Sequence, residues 1–385
     1  MSAERLAQLG SSQRRAAKAI GMSSSALSRA LATGLWPTRG GQLARQKYEQ
    51  FLSDLQNEVG PGVLTHAEAV PAPVATVEET LEQEETMLLQ NAALTPEARR
   101  HFNLPRNPFV DDVQSSDDVF QTAGVRYVRA SLLDCAQHHG FMAIVGESGA
   151  GKSTLAEDLE ERIRTEGREV VVIRPYVLAM EESDAKGKPL KSGQIAEAVV
   201  RTLDPQASLK SSPDARFAQV HRLLKASASA GRRHLILIEE AHTMPTATLK
   251  HLKRWLEVKD GLKRLVGVAL IGQPELRTRL SNGGAELREV AQRCELVELG
   301  PLDTDLEGYL RHKFARFDLK YEQVFDVDAA DAIRARLIHL PRGGKPSDAR
   351  SICYPLVINN LVSRAMNAAA LVGYPKVDAQ VIAGC

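Results

Sequence analysis

Nine residues decide most of what this chain can become. Gly146-Glu147-Ser148-Gly149-Ala150-Gly151-Lys152-Ser153-Thr154 follows an apolar run, Phe141 to Val145, and precedes a helical pattern, Leu155 to Ile163. An apolar strand, a glycine-rich loop and a helix in that order give the full context of a phosphate-binding loop, not a bare string match. Glycines let backbone N–H groups turn inward around a phosphate, and the new helix adds the positive end of its dipole. The nine residues are therefore expected to hold ATP. Lys152 would reach the β- and γ-phosphates, and the Ser153 hydroxyl would ligate Mg²⁺.

The surroundings fit that expectation. Apolar runs at Phe141–Val145, Glu169–Ile173, Leu235–Ile238, Leu265–Ile271 and Glu295–Leu299 alternate with helical patterns. Such alternation means an α/β fold with a parallel sheet covered on both faces. After Leu302 the pattern is helical throughout (304–317, 328–340 and 347–372), which predicts a separate α-helical lid. The lead-in, Leu94 to Phe109 with its Asn107-Pro108-Phe109, either packs beside the adenine or is plain core.

His234-Leu-Ile-Leu-Ile238-Glu239-Glu240 reads as a buried strand ending in two carboxylates. Beside a phosphate-binding loop, the first carboxylate holds Mg²⁺ through its water shell and the second polarises the attacking water. Glu239 is the metal residue, where Asp is usual, and Glu240 the base. Gln273, just past the next strand, either orients the water and senses the γ-phosphate or caps the helix that follows. Arg293, with Arg288 as runner-up, ends a helix where a cation can enter a neighbouring subunit's site. Arg350, in competition with Lys345 and Arg342, opens a lid helix and would fold onto the γ-phosphate.

Residues 1–58 read as small helices with helix-turn-helix spacing over residues 13–31. Ala17 is small where two helices cross, Gly21 sits in the turn, and Ile20, Met22, Leu27 and Ala30 supply contacts. Ser24, Ser28 and Arg29 would face outward to phosphates and base edges; a protein-docking domain is the alternative. Residues 59–93 shift to Pro and Ala and then to Glu78, Glu79, Glu82, Glu84 and Glu85, a linker composition. The remaining domains are then the α/β core, 94–301, and the lid, 302–385. Lys186, Lys188 and Lys191 crowd one loop, and Lys250, Lys253 and Arg254 line one helix. Both groups either neutralise DNA phosphates in a central channel or are solvated surface charge.

The net charge of +1 neither demands nor excludes nucleic acid. Cys135, Cys294, Cys353 and Cys385 form no C-x-x-C pair, which speaks against zinc or a disulfide framework and for a reducing cytoplasm. The N-terminus lacks the apolar core of a signal peptide, and no apolar run approaches the ~18 residues of a membrane helix.

Together these motifs resemble an AAA+ ATPase. Asn107-Pro108-Phe109, the phosphate-binding loop, Glu239-Glu-Ala-His242 and Ile271-Gly-Gln-Pro-Glu-Leu276 are similar to one branch. That branch contains the ATPases of DNA transposition and the general-secretion ATPase often called component A. With the helix-turn-helix and acidic linker in front, the chain resembles the target-selection proteins B of Mu-like transposable phages. The resemblance implies an ATP-dependent, largely non-specific binder of double-stranded DNA that forms homo-oligomeric rings or helical filaments. It implies a transposase as partner, and no membrane. Two departures stand out: Glu239, and a Gly-x-Pro-Arg lid motif that here reads Gly344-Lys-Pro-Ser-Asp-Ala-Arg350. The membrane segment and wall-binding region of the secretion ATPase are not expected.

Overall fold

The computed structural model describes residues 13–20, 22–23, 27, 42–43, 45–48, 50–51, 91–110, 113–175, 190–340 and 346–385. Ser24, Ser28, Arg29, Lys186 and Lys188, together with the alternatives Arg342 and Lys345, lie outside them. The chain divides into two units, Met1–Val74 and Ala75–Cys385, the boundary falling within the stretch read as a linker. In the first unit, the helix Gln13–Ile20 buries Ala16, Ala17 and Ile20 with Leu27 and Tyr48. Met22 N–H donates to Ala17 O at 2.9 Å, past the end of the helix.

The second unit is built on a five-stranded sheet: β1 (Phe141–Gly146), β2 (Val170–Ile173), β3 (Arg233–Ile238), β4 (Gly267–Gly272) and β5 (Glu295–Leu299). Their order is β2-β3-β4-β1-β5, and every pairing is parallel. β1 and β4 are buried along their whole length because helices cover both faces, which is why they read as unbroken apolar runs. One face packs against α1 (Ala123–His138) and α2 (Lys152–Thr165). The other packs against α3 (Ser192–Leu203), α4 (Pro213–Ser229), α5 (Thr246–Leu256), α6 (Pro274–Asn282) and α7 (Gly284–Arg293). Since β4 lies between β1 and β3, the phosphate-binding loop and the two carboxylates sit at the same end of the sheet one strand apart.

The lid has its own core, formed by α8 (Leu306–Ala315), α9 (Ala329–Arg336), α10 (Pro355–Val372) and two short helices, Tyr321–Val324 and Ala379–Ala383. Leu94, Ala98, Phe102 and Leu104 are buried in this same core. Asn367 locks the lead-in down, accepting from Thr95 N–H and donating to Ala93 O, both at 2.9 Å. The start of the lead-in is thus plain core packing, and it belongs with the lid.

Helix placement in the lid corrects one expectation. Arg350 does not open a helix; it sits in a two-residue ribbon, opposite His339. The long helix begins five residues later at Pro355, because proline suits the first helical turn and forces the preceding Tyr354 into extended backbone.

Candidate nucleotide-binding site

The loop between β1 and α2 is shaped for an anion. Gly149 and Gly151 take φ of +76° and +89°, backbone that side chains rarely adopt. A Cβ on Gly149 would lie 2.3 Å from Leu356 Cβ, so only glycine leaves room here for the Leu356 side chain in the first turn of α10. Leu356 N–H donates to Gly149 O at 3.2 Å, tying lid to loop.

Lys152 is 7% exposed, and its ammonium donates to Gly146 O at 2.8 Å and Glu147 O at 2.7 Å. Burial pushes its pKa below the usual lysine value, while Glu240, Glu147 and Glu275 pull it back up. A buried cation at a helix start is what a polyphosphate needs.

Around it lies a cavity of about 420 Å³, the size range of ordinary small-molecule sites. Residues 148–155 form one wall, with Glu240 and Gln273 at the sheet end. The apolar wall comes from Val113, Val119, Phe120 and Val125, a stretch beyond the Leu94–Phe109 lead-in. Asp118 fixes that wall. Burial raises its pKa, but N–H of Gln114, the Ser115 hydroxyl and Arg316 at 3.0 Å outweigh this and hold it net below the carboxylate range. The lid closes the same wall: His312 Nε2 donates to Asp118 O at 2.9 Å, and Phe120 meets Tyr309 edge-on.

The metal-side residues converge as expected. Ser153 Oγ donates to Glu239 Oε2 at 2.9 Å, bringing together two oxygen donors of the kind a hard divalent cation takes. A residue with no sequence role completes the cluster. Arg174, directly after β2, pairs through Nη1 with Glu239 Oε1 at 2.7 Å and through Nε with Glu160 at 2.6 Å. Its Nη2 is buried without a partner.

Glu240 turns away from the strand with φ +50°, and its side chain is half exposed at the cavity edge. A non-glycine residue in that region stores about 1–3 kcal/mol of strain. His242 lies beside it, Nδ1 3.6 Å from Glu240 and accepting from Gln273 N–H at 3.4 Å. Arg279 donates to His242 O and Met244 O, stapling this turn to α6. Gln273 stands at the N-cap of α6, where its carbonyl accepts from Leu276 N–H at 2.9 Å but its side chain makes no cap hydrogen bond; it also lines the cavity. His242 and Arg279 were missed as contributors. His242 stood in the carboxylate motif itself, whereas nothing local marked Arg279.

Other expected residues lie elsewhere. Arg350 is exposed and outside the cavity lining; the lid residues that line it are Leu302, Tyr309, Lys313, Pro355, Leu356 and Asn359. Lys313 is buried, so the lid's cation at this site comes from α8. Arg293 is half exposed, 3.4 Å from Glu257, and outside its own cavity. Lys253 is neutralised by Glu289 at 2.6 Å and, with Arg254, ends α5 where cations favour the helix dipole. Lys250 is half-buried on the same helix, and Lys191 is exposed at the start of α3. The four cysteines are free, and burial pushes Cys135, Cys294 and Cys353 up to about 12. Among the described residues there is no His, Cys, Asp or Glu cluster for a metal, and no helix long and apolar enough to cross a membrane.

Residues 135–280 match the family described as AAA domain. The chain is 28% identical over 240 residues to general secretion pathway protein A of Aeromonas hydrophila, a match spanning 62% of this chain and 38% of that protein. Among solved structures, the ORC2 protein of Aeropyrum pernix aligns at 17% identity and TM-score 0.43, over 74% of this chain and 70% of that one. Drosophila ORC bound to DNA aligns at 11% and TM-score 0.46, over 87% and 72%. Likenesses of that degree say nothing about function. The AAA match, the all-parallel sheet order and the phosphate-binding loop on β1 together make this the fold of a P-loop AAA+ ATPase.

Proposed function

We propose that this chain is a DNA-binding AAA+ ATPase that assembles on duplex DNA with ATP and Mg²⁺, selects a transposition target and stimulates a transposase. The observation that carries the enzymatic part is that Lys152, Ser153, Glu240 and Gln273 line one cavity, with Glu239 hydrogen-bonded to Ser153 behind it. Lys152 and the loop N–H groups bind the phosphates, Ser153 and Glu239 would hold Mg²⁺, and Gln273 orients the water. Glu240, half exposed and bent toward the cavity, takes the proton of the attacking water. Arg293 supports assembly, since a half-exposed cation outside its own site is available to a neighbouring copy. The DNA and transposase parts rest on the motif resemblance and on the buried cluster of Ala16, Ala17, Ile20, Leu27 and Tyr48.

The test is electron microscopy of the protein with ATP or a slowly hydrolysed analogue, with and without random-sequence duplex. Regular assemblies that need both nucleotide and DNA are expected. Monomers or dimers indifferent to random DNA would overturn the reading. The same buried cluster of the first unit favours a second reading, a regulatory ATPase that reads one operator. The match to the secretion protein favours a third, an export-associated ATPase, and random-sequence DNA separates both from the first.

A further inference from the structure

The stretch between α5 and β4 is a tight antiparallel hairpin, Lys259-Asp260-Gly261-Leu262-Lys263-Arg264. Gly261 takes φ +59°, as a two-residue hairpin turn requires of its first central residue. The register sets Lys259 directly opposite Arg264, two cations on one face. Like charges facing each other across a hairpin are unfavourable, and neither has an acidic partner among the described residues. The hairpin is nevertheless held firmly. His221 Nε2 bonds Lys259 O at 2.8 Å, Lys225 grips Asp260 at 2.7 Å, and Leu265 N–H donates to Val258 O at 3.0 Å. At the tip Leu262 is 100% exposed, an apolar side chain held out in water on a braced support. Arg233, exposed at the start of β3, adds to the positive field, which with Arg264 reaches the buried His139.

We propose that this hairpin is a contact to duplex DNA, Lys259 and Arg264 clasping backbone phosphates and Leu262 entering the adjacent groove. Cations that repel one another on a fixed face gain an anion between them, and an apolar tip between cations matches how proteins wedge into base steps. The inference rests on the DNA-binding reading above and adds a surface that the basic helix α5, with Lys253 already neutralised, does not supply.

The experiment is fluorescence anisotropy of a labelled random-sequence duplex with the full chain, ATP and Mg²⁺, across a salt series. Lys259→Gln/Arg264→Gln is expected to weaken binding roughly tenfold at low salt and to flatten the log–log salt slope by about 2, near 0.9 per phosphate lost. Leu262→Ser is expected to weaken binding about tenfold without changing that slope, since a groove contact releases no counterions. Nucleotide affinity should be unchanged in both. If the parent binds and both variants match it in affinity and slope, the hairpin inference is overturned and its cations serve only to protect a strand edge. A parent that ignores random duplex overturns the DNA-binding reading itself. Should the double variant fail to fold, Leu262→Ser, altered at a fully exposed position, decides the matter by affinity alone.

Discussion

Arg174 Nη1 lies 2.7 Å from Glu239 Oε1 while Ser153 Oγ donates to the other oxygen, Oε2, at 2.9 Å. Glutamate is one methylene longer than aspartate and has one more torsion to restrain. Arg174 supplies that restraint, anchored in turn on Glu160. Arg174→Ala should therefore weaken Mg²⁺-dependent nucleotide binding about tenfold. In a Glu239→Asp background, where the shorter carboxylate no longer spans to the guanidinium, the same change should cost little. A Mg²⁺ titration of fluorescent-nucleotide binding on all four proteins gives the coupling, expected at about 1–2 kcal/mol. Equal losses in both backgrounds would show that Arg174 does not seat Glu239.

Lys152 and Glu240 divide binding from chemistry. Lys152→Ala removes a buried charge whose hydrogen bonds are worth about 1.5–3 kcal/mol, so nucleotide affinity should fall about 10–100-fold. Glu240→Gln keeps the size and removes the base. Affinity should stay within about twofold and kcat fall by about 10²–10⁴. Equilibrium binding and phosphate release, measured on the same preparations, separate the two. A Glu240→Gln enzyme with normal turnover would move the base elsewhere, His242, 3.6 Å from Glu240, being the first to test.

How far the sequence reads ahead depends on how far apart the cooperating residues are. The loop, Lys152 and Ser153 are consecutive, and β1 to β5 each announce themselves as apolar runs, so their ends were legible to within two residues. Arg174 was not, because its role exists only once β2 pairs with β3 and brings residue 174 beside residue 239. The lead-in was open for a similar reason. Leu94 and Phe102 are equally apolar whether they face adenine or lid, and only Asn367, some 270 residues on, decides it. Arg350 was misplaced because a local motif was matched without regard to Pro355, whose fixed φ marks the true helix start. Lys253 looked free in sequence, since Glu289 lies 36 residues away.

Arg293 tests whether the active form is an assembly. Its guanidinium is 3.4 Å from Glu257, a weak and half-exposed pair, so it can leave that partner at small cost. Arg293→Ala should bind nucleotide normally yet lose roughly 10³-fold in assembly-stimulated turnover, the scale of an arginine supplied in trans. Mixing it with Lys152→Ala should restore activity, because each variant offers the group the other lacks. A mixture no more active than its parts would assign Arg293 to the surface pair alone.

His139 gives the fold a measurable response to acid. It ends α1 in left-handed backbone at φ +57°, is 5% exposed, and its Nε2 has no hydrogen-bond partner. Burial, then the charges of Arg233, His234, His138 and Arg264, push its pKa down from 6.5 to about 4. Because the folded value is depressed, the unfolded chain takes up the proton first as pH falls. Stability is thus unaffected by this group above about pH 6.5 and is lost between there and pH 4. At about 1.4 kcal/mol per unit the loss reaches about 3 kcal/mol. His139→Asn tolerates the left-handed backbone and does not titrate. It should be less stable at neutral pH, from the smaller side chain, but should lose less on acidification. His234, also buried and shifted down, is present in both proteins, so its own acid response enters both measurements. Urea unfolding of parent and variant at pH 7 and pH 4.5 reads the difference directly. Equal losses in the two would mean that His139 takes up its proton equally in the folded and unfolded chain.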